Sequence, residues 1–435
     1  MQITSLSANT YRYIQIKKEP QHTLFMATIH TLLIYLSVYG LVSIYVDNII
    51  IRSLKDVGMM GIAIFALSKV YRSHTAFIKP ILFLLGSIIA LGSLNLLLGA
   101  SVITLVYGIK ITFLPMMMMF TGMLISQCHR AYSFTRTNFV IFILLIVGWL
   151  IQYSLGIENL VSLGFVYGVN VKNYFEGVPR LSSITYSPDG YAYALVITGL
   201  IAERTKMAMN QRLIRGIIQL LTISFLLLST IRSALVLWIV YQVVMFFFQV
   251  RKYSKKSTLL LACTFIMMPA VVFYGGRMLE SYNLLSVYSL LDRFQTWGNI
   301  LTSPFTMNGA IGNGIGSVGA ASRRTHIIGV DSYNFAVDNQ YFSLYEQTGW
   351  IGMIYFMMLF MWIIASLVRQ MNTLSATNPL RLPQMALAFI AGVTVASLTT
   401  NVLEMLPSNI FFWMVIGMAL VQPLDSSDLS QKAVG

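Results

Sequence analysis

Long apolar runs separated by short polar connections fill most of the chain, and they limit its fold more than any other feature. Only 10% of the residues are charged, whereas average soluble proteins carry about 25%. In hydrocarbon every backbone polar group must be hydrogen-bonded within its own segment, so runs of this length predict α-helices. About twelve apolar segments can be distinguished, at 22–46, 57–71, 77–97, 108–127, 138–156, 189–203, 213–230, 233–250, 257–274, 342–368, 383–403 and 406–423. The sequence therefore predicts an all-α, polytopic integral membrane protein with about twelve transmembrane helices in a single domain, 1–435.

The net charge of +14 follows the predicted membrane topology. Placing the N-terminus in the cytoplasm puts most of the Lys and Arg residues into cytoplasmic connections, as the positive-inside rule requires. Both termini are then cytoplasmic. Because topology accounts for the basic residues, they do not indicate nucleic-acid binding. The first apolar run has no small-residue cleavage site, so we interpret it as an uncleaved anchor.

Two predicted extracytoplasmic connections are long, 157–188 and 275–341, and long loops of this kind are usually functional. The second begins with "ESYNLLSVYSLLDRFQTWGNIL", whose apolar spacing predicts an amphipathic helix on the outer surface. The stretch "SPFTMNGAIGNGIGSVGAASRR" follows. Its glycines would let the chain approach either a bulky ligand or a neighbouring helix closely. It also matches GxGxxG, but no strand precedes it, so a dinucleotide site is not predicted.

Arginines on the predicted outer side need an explanation, because the positive-inside rule disfavours them there. Arg232 lies between two apolar segments with almost no loop. It could reach lipid headgroups, or pair with an acid such as Asp189 or Glu404. Alternatively, guanidinium groups could hold a pyrophosphate, since they offer fixed paired donors and stay charged. The arginines to which this applies are Arg180, Arg232, Arg293, Arg323 and Arg324.

The stretch "VDNQYFSLYEQTGWIG" places ionisable groups at the start of the tenth apolar segment. Asp338 would lie at the membrane boundary, where we expect it to be partly buried. It is a candidate general base, but an acid at this position could also cap the helix. Glu346 lies about two turns further on, on a similar face. No metal-ligand spacing is present in the outer loops, so neither a metal nor another cofactor is predicted.

Three stretches in this order resemble the O-antigen polymerase and ligase superfamily of bacterial inner-membrane glycosyltransferases. They are "STIRSALVLW" at a helix-pair tip, "DRFQTWGNILTSPF" followed by "GNGIGSVG", and "VDNQYFSLYEQTGWIG". The motif resemblance covers roughly the C-terminal half of the chain. The rest of the chain resembles the superfamily only in its predicted membrane topology. The resemblance implies a GT-C-like helical bundle in the bacterial inner membrane that polymerises undecaprenyl-pyrophosphate-linked oligosaccharide repeat units at the periplasmic face. The product would be O-antigen or a related surface polysaccharide.

The resemblance also implies roles for individual residues. Asp338 would take the proton of the acceptor hydroxyl, while Arg232 and Arg293 would stabilise the departing pyrophosphate. Other residues would bind the lipid pyrophosphate or the sugars: Arg180, Arg323, Arg324, Asn339, Tyr341, Glu346 and Tyr186. The enzyme would be a metal-independent glycosyltransferase. Its implied partners are the lipid-linked oligosaccharides, membrane lipids and a membrane protein that regulates chain length.

Two alternative functions stay open at this point. Ligases of the superfamily have histidine where this chain has Asp338, which favours a polymerase over an O-antigen ligase or a related lipid-linked glycan transferase. A polysaccharide flippase or another transporter would also need a cationic cavity. It would, however, place charged residues through the middle of the membrane, whereas the candidates here cluster at one face.

Overall fold

The computed structural model describes residues 20–46, 48–173, 178–250, 297, 306–322, 337–374 and 380–421. These residues are almost entirely helical. The helices in the first half are α1 Pro20–Tyr45, α2 Ile49–Ser73, α3 Thr75–Leu94, α4 Val102–Gly108, α5 Leu114–Gln127 and α6 Ala131–Ser162. The later ones are α7 Pro188–Ala202, α8 Lys206–Asn210, α9 Arg212–Ser229, α10 Arg232–Val250, α11 Met307–Ile311, α12 Gln340–Leu374, α13 Leu382–Ala396 and α14 Ser408–Leu420. The prediction of an all-α fold is confirmed.

Short elements join some of these helices. The 3-10 turns Asn95–Leu98 and Val402–Glu404 follow α3 and α13, and the π-helical turn Ile109–Phe113 joins α4 to α5. A small antiparallel hairpin interrupts the first long connection, with β1 Val171–Asn173 paired to β2 Pro179–Leu181.

Six helices in the described part of the chain are long and apolar enough to cross a membrane. They are Thr23–Tyr45, Thr75–Leu98, Val102–Gln127, Ala131–Ser162, Arg212–Ser229 and Gln340–Met371. Three shorter apolar helices accompany them: Arg232–Phe248, Leu382–Ala396 and Ser408–Leu420. These helices indicate a multi-pass membrane protein.

The predicted count of twelve spans is not reproduced. The segment 257–274 lies outside the described residues, and each of the other eleven coincides with a helix. Two of those helices, α2 and α7, do not qualify as membrane spans for physical reasons. Helix α2 contains five charged residues, which lowers its apolar character. Helix α7 has 15 residues, all but its second buried by protein, whereas a straight span needs about 20.

Helices α5 and α14 form the closest contact in the core. A Cβ added to Gly417 of α14 would clash with the backbone of Met119, and one added to Gly122 of α5 would clash with the backbone of Met414. Glycine on both sides lets two helices approach at backbone distance, which increases dispersion contact where no water-driven force exists between helices. The run Met116–Met119, interpreted as filler of the bundle, lies at this contact and is largely buried.

Candidate functional site

One end of the bundle gathers most of the described candidate residues, and we call it the site end. It consists of residues 179–187, 230–233, 337–341 and 397–407. Arg180 on β2 donates from Nε to Thr230 Oγ1 at 2.7 Å and from Nη2 to the Thr230 carbonyl at 3.1 Å. Thr230 closes α9 in the left-handed conformation, with φ of 59°, and Arg232 begins α10 two residues later. The hairpin therefore brings Arg180 to the turn that carries Arg232.

The connection between α13 and α14 links this turn to the start of α12. Thr400 Oγ1 donates to Ser233 Oγ at 3.1 Å, next to Arg232. On the other side, the backbone N–H of Gln340 donates to the Ser397 carbonyl at 2.9 Å. The side-chain Nδ2 of Asn339 donates to the Leu398 carbonyl at 2.9 Å. Hydrogen bonds along this connection therefore join the turn that carries Arg232 to the start of α12, where Asp338 lies.

Asn339, and not Asp338, caps α12. The Asn339 Oδ1 atom accepts from the Tyr341 amide at 2.9 Å and from the Phe342 amide at 3.3 Å, which satisfies two of the free N–H groups at the helix start. The side chain of Asp338 is exposed. The expectation of partial burial at Asp338 is thus wrong, because the asparagine turns inward to the backbone and leaves its neighbour on the surface.

Asn339 and Tyr341 are both buried and bind the protein itself. The Tyr341 hydroxyl donates to the Thr394 carbonyl at 2.9 Å, so its polar atom is engaged with α13. Tyr341 thus holds the start of α12 to α13, and Asn339 holds it to the α13–α14 connection. This geometry makes them supports for position 338, whereas direct sugar contacts would require exposed polar atoms.

Helix α12 breaks at Gly349, whose φ of 65° and ψ of −175° are not helical. The break removes the normal partners of the Glu346 and Gln347 carbonyls. The Glu346 carbonyl accepts instead from the backbone N–H of Asn313 at 2.7 Å, and the Gln347 carbonyl accepts from that of Gly314 at 3.1 Å. Non-helical backbone at membrane depth is tolerated only where such groups are satisfied. Segment 306–322, which we call the Gly-rich loop, supplies the replacement donors.

Glu346 is half-buried beside this break. Its Oε1 atom accepts a short hydrogen bond from Asn313 Nδ2. The Gln347 side chain holds the same loop further along, where its Oε1 accepts from the Gly316 amide at 2.9 Å. Glu346 therefore ties the Gly-rich loop to α12, and a sugar could reach only the remaining part of its carboxylate.

The glycines of the Gly-rich loop were predicted to allow close approach to either a bulky ligand or a neighbouring helix. Gly312 and Gly316 approach neighbouring helices. A Cβ on Gly316, at φ of 89°, would lie 2.2 Å from the Thr104 carbonyl oxygen, and one on Gly312 would lie 2.5 Å from the amide of Thr348. Gly108 faces the Gly316 backbone in the same way. The loop is wedged between α3, α4 and α12, and a side chain at Gly312 or Gly316 would collide with backbone.

Glu404 is a buried carboxylate that the sequence suggested only as one possible partner of Arg232. Its Oε2 atom accepts from the Ala320 amide at 3.1 Å, and its Oε1 accepts from the Ser343 hydroxyl at 3.3 Å. Burial raises the pKa of Glu404, and these two hydrogen bonds oppose the rise. The side chain joins the Gly-rich loop, α12 and the α13–α14 connection. An acid between two apolar segments, in "NVLEMLP", was the available signal.

Tyr186 is exposed at the site end, and its backbone packs directly against Gly40 of α1. Its carbonyl accepts from Asn170 Nδ2 at 2.7 Å. A tyrosine ring held in this way can contact a ligand outside the bundle.

Three predicted site residues, Arg293, Arg323 and Arg324, lie outside the described residues. So does most of the predicted amphipathic helix, with one exception. Trp297 is buried and stacks on Phe342 of α12, with 5.3 Å between ring centroids. Within the described ranges, no group of three or more His, Cys, Asp or Glu side chains could hold a metal ion.

No protein-family model matches the chain, and no curated protein matches its sequence significantly.

Proposed function

We propose that this protein is a membrane glycosyltransferase that polymerises lipid-pyrophosphate-linked oligosaccharide units, at the periplasmic face of a bacterial inner membrane. The observation that carries the proposal is the placement of Arg180 and Arg232 around the single turn at Thr230, at the same end of the bundle as the exposed Asp338. Fixed positive charge at the same end of the bundle as an exposed carboxylate suits a reaction that releases an anion and a proton.

The chemistry uses these groups in a single displacement. The acceptor sugar hydroxyl attacks the anomeric carbon of the donor, and a new C–O bond forms as the bond to the lipid pyrophosphate breaks. The bonding electron pair leaves with the pyrophosphate, where Arg180 and Arg232 stabilise the developing negative charge. Asp338 accepts the proton of the attacking hydroxyl.

The buried residues around position 338 have a positioning role in this proposal. Asn339 and Tyr341 fix the start of α12 on the end of α13 and the connection that follows it, and that connection also binds Ser233 beside Arg232. A base and an anion-binding group must keep a constant separation, since small misplacements of reacting groups cost large factors in rate. Hydrogen bonds to backbone atoms provide that rigidity.

The test is deletion of the gene followed by gel electrophoresis of the surface polysaccharide. Loss of the ladder, with a core that carries a single repeat, supports polymerisation. Loss of every repeat instead supports a ligase or a flippase. Plasmid-borne Asp338→Asn and Arg232→Ala should fail to restore the ladder. The control variant Arg136→Ala should restore it, because Arg136 is an exposed residue near the start of α6 and outside the site end. A normal ladder from Asp338→Asn at matched expression would eliminate Asp338 as the base.

A further inference from the structure

A cluster of charged side chains lies inside the helical region, apart from the candidate catalytic residues. Asp56 on α2 contacts two lysines: Lys55 Nζ lies 2.7 Å from its Oδ1, and Lys110 Nζ lies 2.6 Å from its Oδ2. One carboxylate therefore serves two ammonium groups. Lys110 belongs to the candidate span Val102–Gln127, where ionisable residues are costly and usually functional.

The two lysines are held in place by aromatic rings as well as by Asp56. Lys55 Nζ lies 4.7 Å from the centroid of the Tyr39 ring, and Lys110 Nζ lies 5.3 Å from that of Tyr107. Cation–π contacts of this kind strengthen when water is excluded. Lys55 is only 1% exposed, so its ammonium group is enclosed by protein.

Lys110 differs from Lys55 because it remains accessible. Its side chain is 26% exposed, and its ammonium group has three donors, more than the ion pair with one carboxylate oxygen of Asp56 can use. The π-helical turn Ile109–Phe113 contains this lysine, and such turns are rare and frequently mark functional positions. The geometry thus places one partly exposed ammonium group and one buried ammonium group on the same carboxylate.

Exposed apolar side chains lie close in sequence to the charged cluster on both elements. Leu54 and Val57 flank the charged pair on α2, and Ile103 and Val106 lie on α4 in the two turns before Lys110; all four are exposed. In a membrane protein such side chains face acyl chains. A ligand that reaches Lys110 past them should itself carry acyl or prenyl chains.

We propose that Lys110, backed by Lys55 and Asp56, binds the phosphate group of a membrane lipid that approaches from the bilayer along α4 and the π-helical turn. Lysine is a suitable point charge for phosphate, and an anion compensates positive charge that would otherwise be costly in this environment. This site does not depend on the proposed glycosyl transfer, so either can fail without the other.

The test measures lipid binding to the purified full-length protein in detergent by native mass spectrometry. Phosphatidylglycerol should be retained more strongly than phosphatidylcholine, whose choline offsets the phosphate charge. Lys110→Gln should weaken phosphatidylglycerol binding by about tenfold or more, as expected for loss of a charge-assisted hydrogen bond. Lys110→Arg should retain the binding. Lys69→Gln is the matched control, since Lys69 on α2 lies, like Lys110, over an aromatic ring, that of Phe65.

Three results would overturn the proposal. The first is equal phosphatidylglycerol binding by Lys110→Gln and the unchanged protein. The second is an equal loss in Lys69→Gln, which would indicate general charge attraction. The third is displacement of the lipid by inorganic phosphate at equal concentration, which would indicate a site for free phosphate. If Lys110→Gln melts at a lower temperature, lipid retention is measured well below its melting temperature, and the loss of phosphatidylglycerol must persist there.

Discussion

Replacement of Glu404 tests the arrangement that holds the Gly-rich loop against α12. In Glu404→Ala, the Ala320 amide loses its acceptor in a buried position, and an unsatisfied buried donor costs about 1–3 kcal/mol. The Ser343 hydroxyl loses less, because it still accepts from Gln347 Nε2 at 3.0 Å. We therefore expect Glu404→Ala to lower the free energy of unfolding by about 1–3 kcal/mol, plus the cost of the cavity left by the side chain.

Glu404→Gln should be much milder. Burial raises the pKa of Glu404, which favours a neutral side chain that glutamine imitates in shape and charge. The glutamine oxygen can still accept from the Ala320 amide, and the Ser343 hydroxyl can rotate to accept from the glutamine NH₂ group. We expect a loss smaller than that of Glu404→Ala, because the Ala320 amide keeps its acceptor and no cavity is left.

The assay is the melting temperature of the purified variants in one detergent at pH 7, followed by tryptophan fluorescence. The alanine variant should melt roughly a few degrees below the unchanged protein, and the glutamine variant close to it. Equal destabilisation by both substitutions would refute the reasoning, because the ionised carboxylate would then be the form that the fold requires.

Three further predictions concern single residues. Asn339→Ala should destabilise the protein by about 0.5–2 kcal/mol through loss of the α12 cap, and Asp338→Ala, at an exposed position, should not; equal melting of both variants would contradict the cap. Gly349→Ala should lower expression and melting temperature, because a Cβ would lie 2.1 Å from the Ala310 carbonyl oxygen, whereas Gly216→Ala, with open space around it, should behave normally. Burial raises the pKa of Glu203 from 4.5 to about 7. The folded chain then keeps a proton that the unfolded chain releases, so stability should fall as the pH rises through that window, by up to about 3 kcal/mol at 1.4 kcal/mol per pKa unit. Glu203→Gln should flatten this dependence, and an unchanged pH profile in that variant would exclude Glu203 as its source.

Much of the candidate site was predictable because helix ends can be read from local signals. The change from polar to apolar sequence after Asn339 marked the start of α12, and the short polar break around Arg232 marked a helix-pair tip. Even so, the assignment of the cap to Asn339 depended on which of two adjacent side chains faces the bundle. Neighbouring residues at a helix start share the same composition signal, so the sequence could not separate them.

The amino-acid sequence by itself determined that the chain is helical and apolar, since hydropathy over about 20 residues is a local property. It also placed Arg180 and Asp338 in connections between apolar segments. The tertiary structure alone decided which distant segments meet: Ala320 with Glu404, Gly316 with Thr104, and Asp56 with Lys110. These contacts depend on the packing of whole helices against one another. The same short motif could face lipid, solvent or another helix, and only the assembled bundle selects among them.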